Sequence, residues 1–519
     1  MARLTDPSAI DGKFAAPDEH AQLLVIGAGA AGTAAAIEAA KLGAGVVLID
    51  ENPVDPGLMG LDTPLFYGGR MSGAVRRRGG VTETLLAANP ALEEAVELGV
   101  EVRLGITAWG LYVNGPALRA LPAPMIGLAD EERSWMCGFE RLILATGARD
   151  VALAFPGWDQ PGVVGANGLD ALLRRYDAFA GRRITVLGGG DIGVDAALAA
   201  HARGLGVAAV IEALAEAPAS ADRLARLRSA SIPLLTGHTP RRAIGGRDGV
   251  ERLIVATETG EEIAIDCDTI CLAVGLAPAI ELLNAAGGRI VPDATRGGHA
   301  PALDGWATSL AGVFAAGDCA GLAGSEAEAA GQGRQAARQA LGGAVEGGPR
   351  PGPHAWAYQS AWFEALTRGA DPATIVCQCE AVTRGDLLEV RAPRYLGDPT
   401  AAAAARDLGT LIADGPPNQD QVKRLTRAGM GPCQGRRCRE QVALTLAQAA
   451  GIPVSQVPLA LHRAPVRPLP LRVMADWDET AAMTQGWEIW FAIPGQWSAY
   501  EDIGAEREFV TPFGRERPK

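Results

Sequence analysis

Leu23-Leu-Val-Ile-Gly-Ala-Gly-Ala-Ala-Gly32 is followed by an Ala-rich stretch from Thr33 to Leu42 and then by Gly45-Val-Val-Leu-Ile-Asp50-Glu51. This reads as strand, tight turn, helix and strand. Gly27 permits the turn, Gly29 lets a pyrophosphate approach the backbone, and Gly32 lets the helix pack close against the strand. Ala30 and Ala31 open that helix, whose unpaired N–H groups and positive dipole end suit a phosphate. Asp50 lies 18 positions past Gly32, where a carboxylate accepts from the ribose hydroxyls of an adenosine; Glu51 is the adjacent candidate. With strand, helix, second strand and acid all in place, the segment predicts a dinucleotide site.

A second unit follows at Arg183-Ile-Thr-Val-Leu-Gly188-Gly-Gly-Asp-Ile-Gly193, with a helix-like Val194 to Arg203 and then Val207-Ala-Ala-Val-Ile-Glu212. Asp191 falls at the mouth, where an anion repels a pyrophosphate unless it turns away to cap the helix. A working NAD(H) site and an emptied structural copy both stay open; if the site is filled, Glu212 favours NAD over NADP by repelling a 2′-phosphate. Between the units, Leu142-Ile-Leu-Ala-Thr146-Gly147 reads as a strand end, and Cys271-Leu-Ala-Val-Gly275 as its counterpart. These mark crossings between two nested domains. Val313-Phe-Ala-Ala-Gly317-Asp318 repeats the strand-then-acid pattern, and Ser325-Glu-Ala-Glu328 opens an Ala-rich helix with a capping box.

The whole chain agrees with a multidomain enzyme of this kind. Its 519 residues predict roughly three domains. Glycine numbers 66, well above the roughly 36 of average usage, so many tight turns are required. Net charge is −13 and the pI near 5.1, which argues against nucleic acid or an anionic membrane as partner. No apolar run reaches membrane-spanning length and Met1 to Gln22 lacks a leader-like apolar core, so a soluble cytoplasmic protein is expected. Gly342 to Pro353 is dense in Gly and Pro and predicts a linker. The stretch from Asp476 to Lys519 holds Trp477, Trp487, Trp490 and Trp497, rings that need burial on the chain itself or on a partner. The six His stand in no catalytic motif, and no side chain marks itself as a catalytic base.

Four of the eight cysteines group as Cys377-Gln-Cys379 and Gly431-Pro-Cys433-Gln-Gly-Arg-Arg-Cys438. Four thiolates suit a zinc ion or a 2Fe-2S cluster. A one-residue gap crowds a single tetrahedral ion, whereas two bridged irons spread their sulfurs, so the spacing leans to iron–sulfur. Gly431 and Gly435 free backbone N–H groups for the sulfurs, and Arg427, Arg436, Arg437 and Arg439 form a basic island that offsets a cluster's charge. Cys267 and Cys271 beside a strand, Cys137 in a loop and Cys319 after Asp318 read as buried small hydrophobes. Neither dinucleotide unit carries a Cys-x-x-Cys pair, which argues against a dithiol–disulfide reductase.

In order, Gly27 to Asp50, Thr146-Gly147, Gly188 to Gly193, Ala273-Val-Gly275, Gly317-Asp318, Cys377-x-Cys379 and Gly429-Met-Gly-Pro-Cys433-Gln-Gly-Arg-Arg-Cys438 resemble a known family. It is the large FAD-type subunit of heteromeric amino-acid and opine dehydrogenases and oxidases. The large subunits of octopine and nopaline oxidase, hydroxyproline dehydrogenase alpha, a hydrogen cyanide synthase subunit and, more distantly, sarcosine oxidase alpha belong to it. The resemblance runs from about residue 20 to 470, and its most specific part is the Gly-Met-Gly-Pro-Cys-Gln-Gly-Arg segment. It implies an α/β fold, with a glutathione-reductase-like pair of nested Rossmann-type domains and a small C-terminal 2Fe-2S domain. Carried over by motif, Gly27, Gly29 and Gly32 would cradle the FAD pyrophosphate, Asp50 or Glu51 the ribose, and Asp318 the ribityl chain. Thr146, Gly147 and Gly317 fall in the same series, and Gly68-Gly69-Arg70 resembles the family's Gly-Gly-Gln segment beside FAD. Cys377, Cys379, Cys433 and Cys438 would hold the cluster.

The resemblance also implies partners. In the family the amine is oxidised on a beta subunit of amino-acid-oxidase type with its own flavin. Some members add a small third subunit or FMN at a subunit interface, and NAD or ATP can stand in place of FAD. An external acceptor takes the electrons. The expected domains are 20–150 and 276–341 for FAD, 151–275 for the second nucleotide-type unit, 342–370 as linker, 371–452 for the cluster and 453–519 as an aromatic-rich tail. Arg391 to Pro416 reads as an insertion and, like the tail, as a partner surface. The readings to separate are an electron-transfer subunit, a self-contained NAD(P)H-dependent flavin and iron–sulfur oxidoreductase, and a nucleotide-filled scaffold without turnover.

Overall fold

The computed structural model describes residues 15–52, 81–115, 121–345, 347–350, 352, 355–393, 397 and 400–475. Gly69, Arg70 and the four tail tryptophans named above lie outside them. β1 (Glu19–Ile26), α1 (Ala30–Lys41) and β2 (Val46–Asp50) form the first unit. Leu23, Leu24 and Val25 are buried in succession, as in a parallel strand covered on both faces. β3 (Glu101–Leu104), β4 (Thr107–Tyr112), β5 (Met125–Ala129) and β6 (Ser134–Leu144) extend the sheet in the order β3-β2-β1-β6-β5-β4. β6 is long enough to change partners: its first half pairs antiparallel with β5, its second half parallel with a strand that returns much later, at Val313–Ala315. Cys137 sits within β6 and not in a loop, because the alternating pattern there continues the sheet.

β7 (Ala148–Asp150) leads out of this domain, and β8 (Val163–Gly165) and β9 (Arg183–Leu187) enter the second. α2 (Asp191–Ala202), β10 (Gly206–Ile211) and β11 (Leu234–Leu235) follow, then an antiparallel sheet of β12 (His238–Gly246), β13 (Gly249–Thr257) and β14 (Glu262–Asp266). β15 (Thr269–Leu272) completes a five-stranded parallel sheet ordered β11-β10-β9-β15-β8. β16 (Leu276–Pro278) pairs antiparallel with β7, so the two crossings form one ribbon between the domains. The hairpin β17 (Ile290–Asp293) and β18 (Gly298–Pro301) precedes β19 (Val313–Ala315), which closes the first sheet. α3 (Glu326–Ala340) then crosses α1 closely: a Cβ on Gly333 would lie 1.9 Å from the Ala31 carbonyl oxygen. Ser325 caps α3 by accepting from the Glu328 N–H, while the Glu328 carboxylate meets the Ser325 hydroxyl at 3.3 Å.

Residues 355–367 of the expected linker form a helix, α4 (Ala355–Thr367). Trp356, Trp362, Phe363 and Leu366 bury one helical face, and that apolar stripe overrides the Gly/Pro signal just before it. β20 (Ile375–Cys377), β21 (Val382–Thr383) and α5 (Arg439–Ala450) belong to the C-terminal part. Its core is shared: Val151 to Phe155, Trp158, Trp362, Val376, Val382 and Val442 are buried in one cluster. The chain then returns to the first sheet, where the Val466 N–H donates to the Trp109 carbonyl at 2.8 Å. Among the described residues no helix is long and apolar enough to cross a membrane.

Candidate functional site

The three glycines of the first mouth are required for different reasons. Gly27 has φ +105°, and a Cβ there would lie 2.2 Å from the Ala145 carbonyl oxygen. On Gly32 it would lie 1.7 Å from the Gly27 carbonyl oxygen. Gly29 is different: it is exposed, and a Cβ there would meet nothing within 4 Å. The space in front of Gly29 is the cradle, and α1 begins directly behind it with no side-chain cap on its first N–H groups. Asp50, at the end of β2, accepts from the Ala28 N–H at 2.5 Å and from the Asn52 backbone and side-chain N–H groups at 2.7 Å. Glu51 is engaged elsewhere, in a 2.5 Å ion pair with Arg467. Gly317, with φ +73°, approaches Ala31 from β19, and Asp318 accepts from the Ala323 N–H at 2.8 Å. Thr146 ties this mouth to the crossing ribbon by donating to the Ala279 carbonyl at 2.8 Å, and Gly147 opens the turn with φ +72°.

The second mouth repeats the frame and then covers it. Glu212 accepts from the Gly189 N–H at 2.7 Å and the Leu214 N–H at 2.8 Å, as Asp50 does from Ala28 and Asn52. Asp191 turns outward, accepting from the Ser220 N–H at 2.7 Å and pairing with Arg223 at 3.2 Å. Gly188 and Gly189 are buried, and the Glu212 side chain is 0% exposed. The covering element is α4: the Tyr358 hydroxyl donates to Glu212 at 2.6 Å.

The four C-terminal thiols meet in crossed pairs, a pattern that sequence order does not suggest. Cys438 donates to Cys377, and Cys379 donates to Cys433. The Cys379 hydrogen bond holds the Cys433 thiol down to about 5 against the effect of burial, helped by the Arg437 and Gly435 N–H groups. Cys377 is lowered in the same way by Cys438, and by the Gly429 N–H, whose nitrogen lies 3.5 Å from the sulfur. Gly435 thus serves as expected. Gly431 serves otherwise, since a Cβ there would lie 2.3 Å from Cys379 Cβ. Among the described residues no three His, Cys, Asp or Glu side chains converge as ligands of a single ion. The arginines of the island are largely buried in local contacts: Arg427 pairs with Glu380 at 2.6 Å, Arg437 stacks over Trp158, and Arg436 donates to the Val466 carbonyl. The remaining thiols are all buried, with Cys137 pushed up to about 12 and Cys267 to about 11, chiefly by desolvation.

A buried joint connects the thiol loop with the first mouth, and no sequence motif announces it. Arg149, three residues beyond Thr146, donates to the Arg436 carbonyl at 2.8 Å, to Glu440 at 2.5 and 2.8 Å, and to Glu281 at 3.0 Å. Burial pushes the Glu281 carboxyl up, but Arg149, His462 and Arg439 more than reverse this and hold it down to about 2. His462 accepts a close contact from Arg439 and meets Asn284 through Nδ1 at 2.8 Å; burial and Arg439 drive its imidazole down to about 2.

A family model described as pyridine nucleotide-disulphide oxidoreductase matches residues 21–341. The chain belongs to that family. It is an oxidoreductase, and the family implies FAD at the first mouth. A second model, the sarcosine oxidase A3 domain, matches residues 400–477, so residues 400–416 of the stretch read as an insertion lie inside a matched domain. The large opine oxidase subunit of Agrobacterium tumefaciens (strain Ach5) is 28% identical, covering 88% of this chain and 92% of its own. Hydrogen cyanide synthase subunit HcnB of Pseudomonas aeruginosa is 28% identical over 86% and 97% of the two chains. The alpha subunit of Rhizobium meliloti sarcosine oxidase is 27% identical over 87% of this chain but 41% of its own. Among solved structures, L-proline dehydrogenase from P. horikoshii shares the fold, with a TM-score of 0.56 at 20% identity over 88% and 79% of the chains. This oxidoreductase departs from its family's name in one respect: the described part of its nucleotide domains brings no two thiols of Cys-x-x-Cys spacing together.

Proposed function

We propose that this chain is the electron-transfer subunit, carrying FAD and a 2Fe-2S cluster, of a heteromeric flavoenzyme that oxidises an amino acid, imino acid or opine at its C–N bond. The observation that carries the reading is the crossed pairing of Cys377 with Cys438 and Cys379 with Cys433. A single zinc gathers four thiolates about one point, whereas a two-iron cluster takes two per iron. The names of the relatives supply the reaction class, since each is a subunit of an oxidase or synthase.

The residues fit FAD at the first mouth. Gly27 and Gly32 set the turn, and Gly29 with the first N–H groups of α1, at Ala30 and Ala31, would receive the pyrophosphate. Asp50 would take the ribose, because Glu51 is held by Arg467. Asp318 would face the ribityl chain, with Thr146, Gly147 and Gly317 shaping the floor. When bound, a flavin accepts two electrons and releases them singly to a one-electron cluster. Arg149 contributes position: it fastens the thiol loop to the strand end beside the flavin site, and its bidentate grip on Glu440 fixes α5. No side chain of this chain is assigned to C–H or C–N chemistry; that oxidation is placed on a beta subunit of amino-acid-oxidase type, with an external acceptor downstream. Similar complexes add FMN at the interface and a small third subunit.

Anaerobic purification with iron, sulfide, zinc and flavin analysis tests the reading. About two irons per chain and a dithionite-generated S = 1/2 resonance are expected, both lost in Cys433→Ser. One zinc and no iron would contradict it.

A further inference from the structure

We infer that α4 is an internal occupant of the second dinucleotide unit, with Tyr358 set where an adenosine ribose would lie, and that this excludes pyridine dinucleotides as electron donors. The inference stands apart from the cluster and from the substrate, because it concerns only the second mouth.

Nucleotides bind at the carboxyl ends of parallel strands, where a glycine turn meets a helix N-terminus and an acid at the next strand end accepts ribose hydroxyls. In the second unit those places are the turn at Gly188 to Gly190, the start of α2, and Glu212. All three lie under α4. The Tyr358 hydroxyl donates to the same Glu212 oxygen that accepts from Gly189, as a ribose hydroxyl would. A Cβ on Gly190 would lie 3.6 Å from the Tyr358 ring, so the ring stands in front of the mouth. The next residue of α4, Gln359, closes the neighbouring strand end: a Cβ on Gly275, with φ +150°, would lie 2.5 Å from Gln359 Nε2. Gln359 is 1% exposed, and Trp362 one turn below Tyr358 is fully buried, so α4 is anchored in the core and is not a loose strap. At the first mouth nothing comparable stands over Gly29 among the described residues. Tyr358 is thus a specificity-determining residue: it leaves the second fold its structural role and removes its ligand.

The test uses the full chain saturated with FAD, so that the first mouth is filled, and reads NADH fluorescence together with anaerobic flavin absorbance. Wild type and Tyr358→Phe should give no saturable NADH signal up to about 1 mM, the upper end of ordinary substrate affinities. Tyr358→Ala, which removes the ring and frees Glu212, should bind NADH at least about tenfold more tightly. Saturable NADH binding or flavin bleaching in wild type would overturn the inference, and so would a folded Tyr358→Ala that gains no binding. If Tyr358→Ala does not fold, hydrogen exchange of wild type with and without NADH decides. Unchanged exchange at Gly188 to Gly190 and in α4 supports the occupant, and protection there overturns it.

Discussion

The two glycine-rich units have the same local frame and opposite accessibility. In each, a carboxylate at the second strand end accepts from the middle residue of the glycine turn and from the N–H two residues beyond itself. At the first mouth Asp50 remains part-exposed and Gly29 faces open space; at the second, Glu212 is sealed beneath Tyr358. A glycine signature therefore reports the backbone turn, while the element that later packs over it decides whether a ligand can enter.

Where the units are alike, equal substitutions should do equal damage. Gly32→Ala and Gly193→Ala each drive a Cβ to within 1.7 and 1.8 Å of a turn carbonyl oxygen. Each should lose about 3 kcal/mol or more in urea unfolding. Where the units differ, the acids should separate. Glu212→Gln breaks a buried charged acceptor with three donors and should lose about 1.5–3 kcal/mol of stability with flavin content unchanged. Asp50→Asn should lower flavin affinity about tenfold, or ~1.4 kcal/mol, in a fluorescence titration. A finer contrast uses the mouth glycines. Gly29→Ala should fold normally but release flavin several-fold more readily, whereas Gly190→Ala, with only an ordinary contact to Tyr358, should change neither property.

The smallest expected effect concerns the joint that links the first unit to the thiol loop. Glu281 and His462 both have folded-state values near 2, below their unfolded values of about 4.3 and 6.5. The unfolded chain binds the extra protons, so stability is full above pH 6.5 and falls with acidification, first through His462 and then, below about pH 4.3, through Glu281. Melting temperatures across pH 7.5 to 5 should decline, and His462→Gln should flatten that part of the curve.

The first unit was legible because every part of its signal is local: an apolar run, three spaced glycines and an acid at the next strand end. The doubt over the second unit was also legible, in Asp191, although the residue that decides it was not. Tyr358 lies 146 positions from Glu212 and follows a Gly/Pro-dense segment, so the stretch reads as linker until the spacing of Trp356, Trp362, Phe363 and Leu366 is weighed. The four thiols could be named from spacing, but their crossed pairing is a tertiary fact. Arg149 gave no signal, because a single arginine near a strand end has no pattern until Glu281 and Glu440 arrive from distant helices. Glu51 was separated from Asp50 only by Arg467, more than 400 residues away.

A crystal structure of the chain grown with FAD and NADH together tests the central contrast most directly. One FAD along Gly27 to Gly32, with its ribose on Asp50 and with Tyr358 still on Glu212, is the predicted result. A nucleotide seated on Gly188 to Gly190, with Tyr358 displaced, would contradict it.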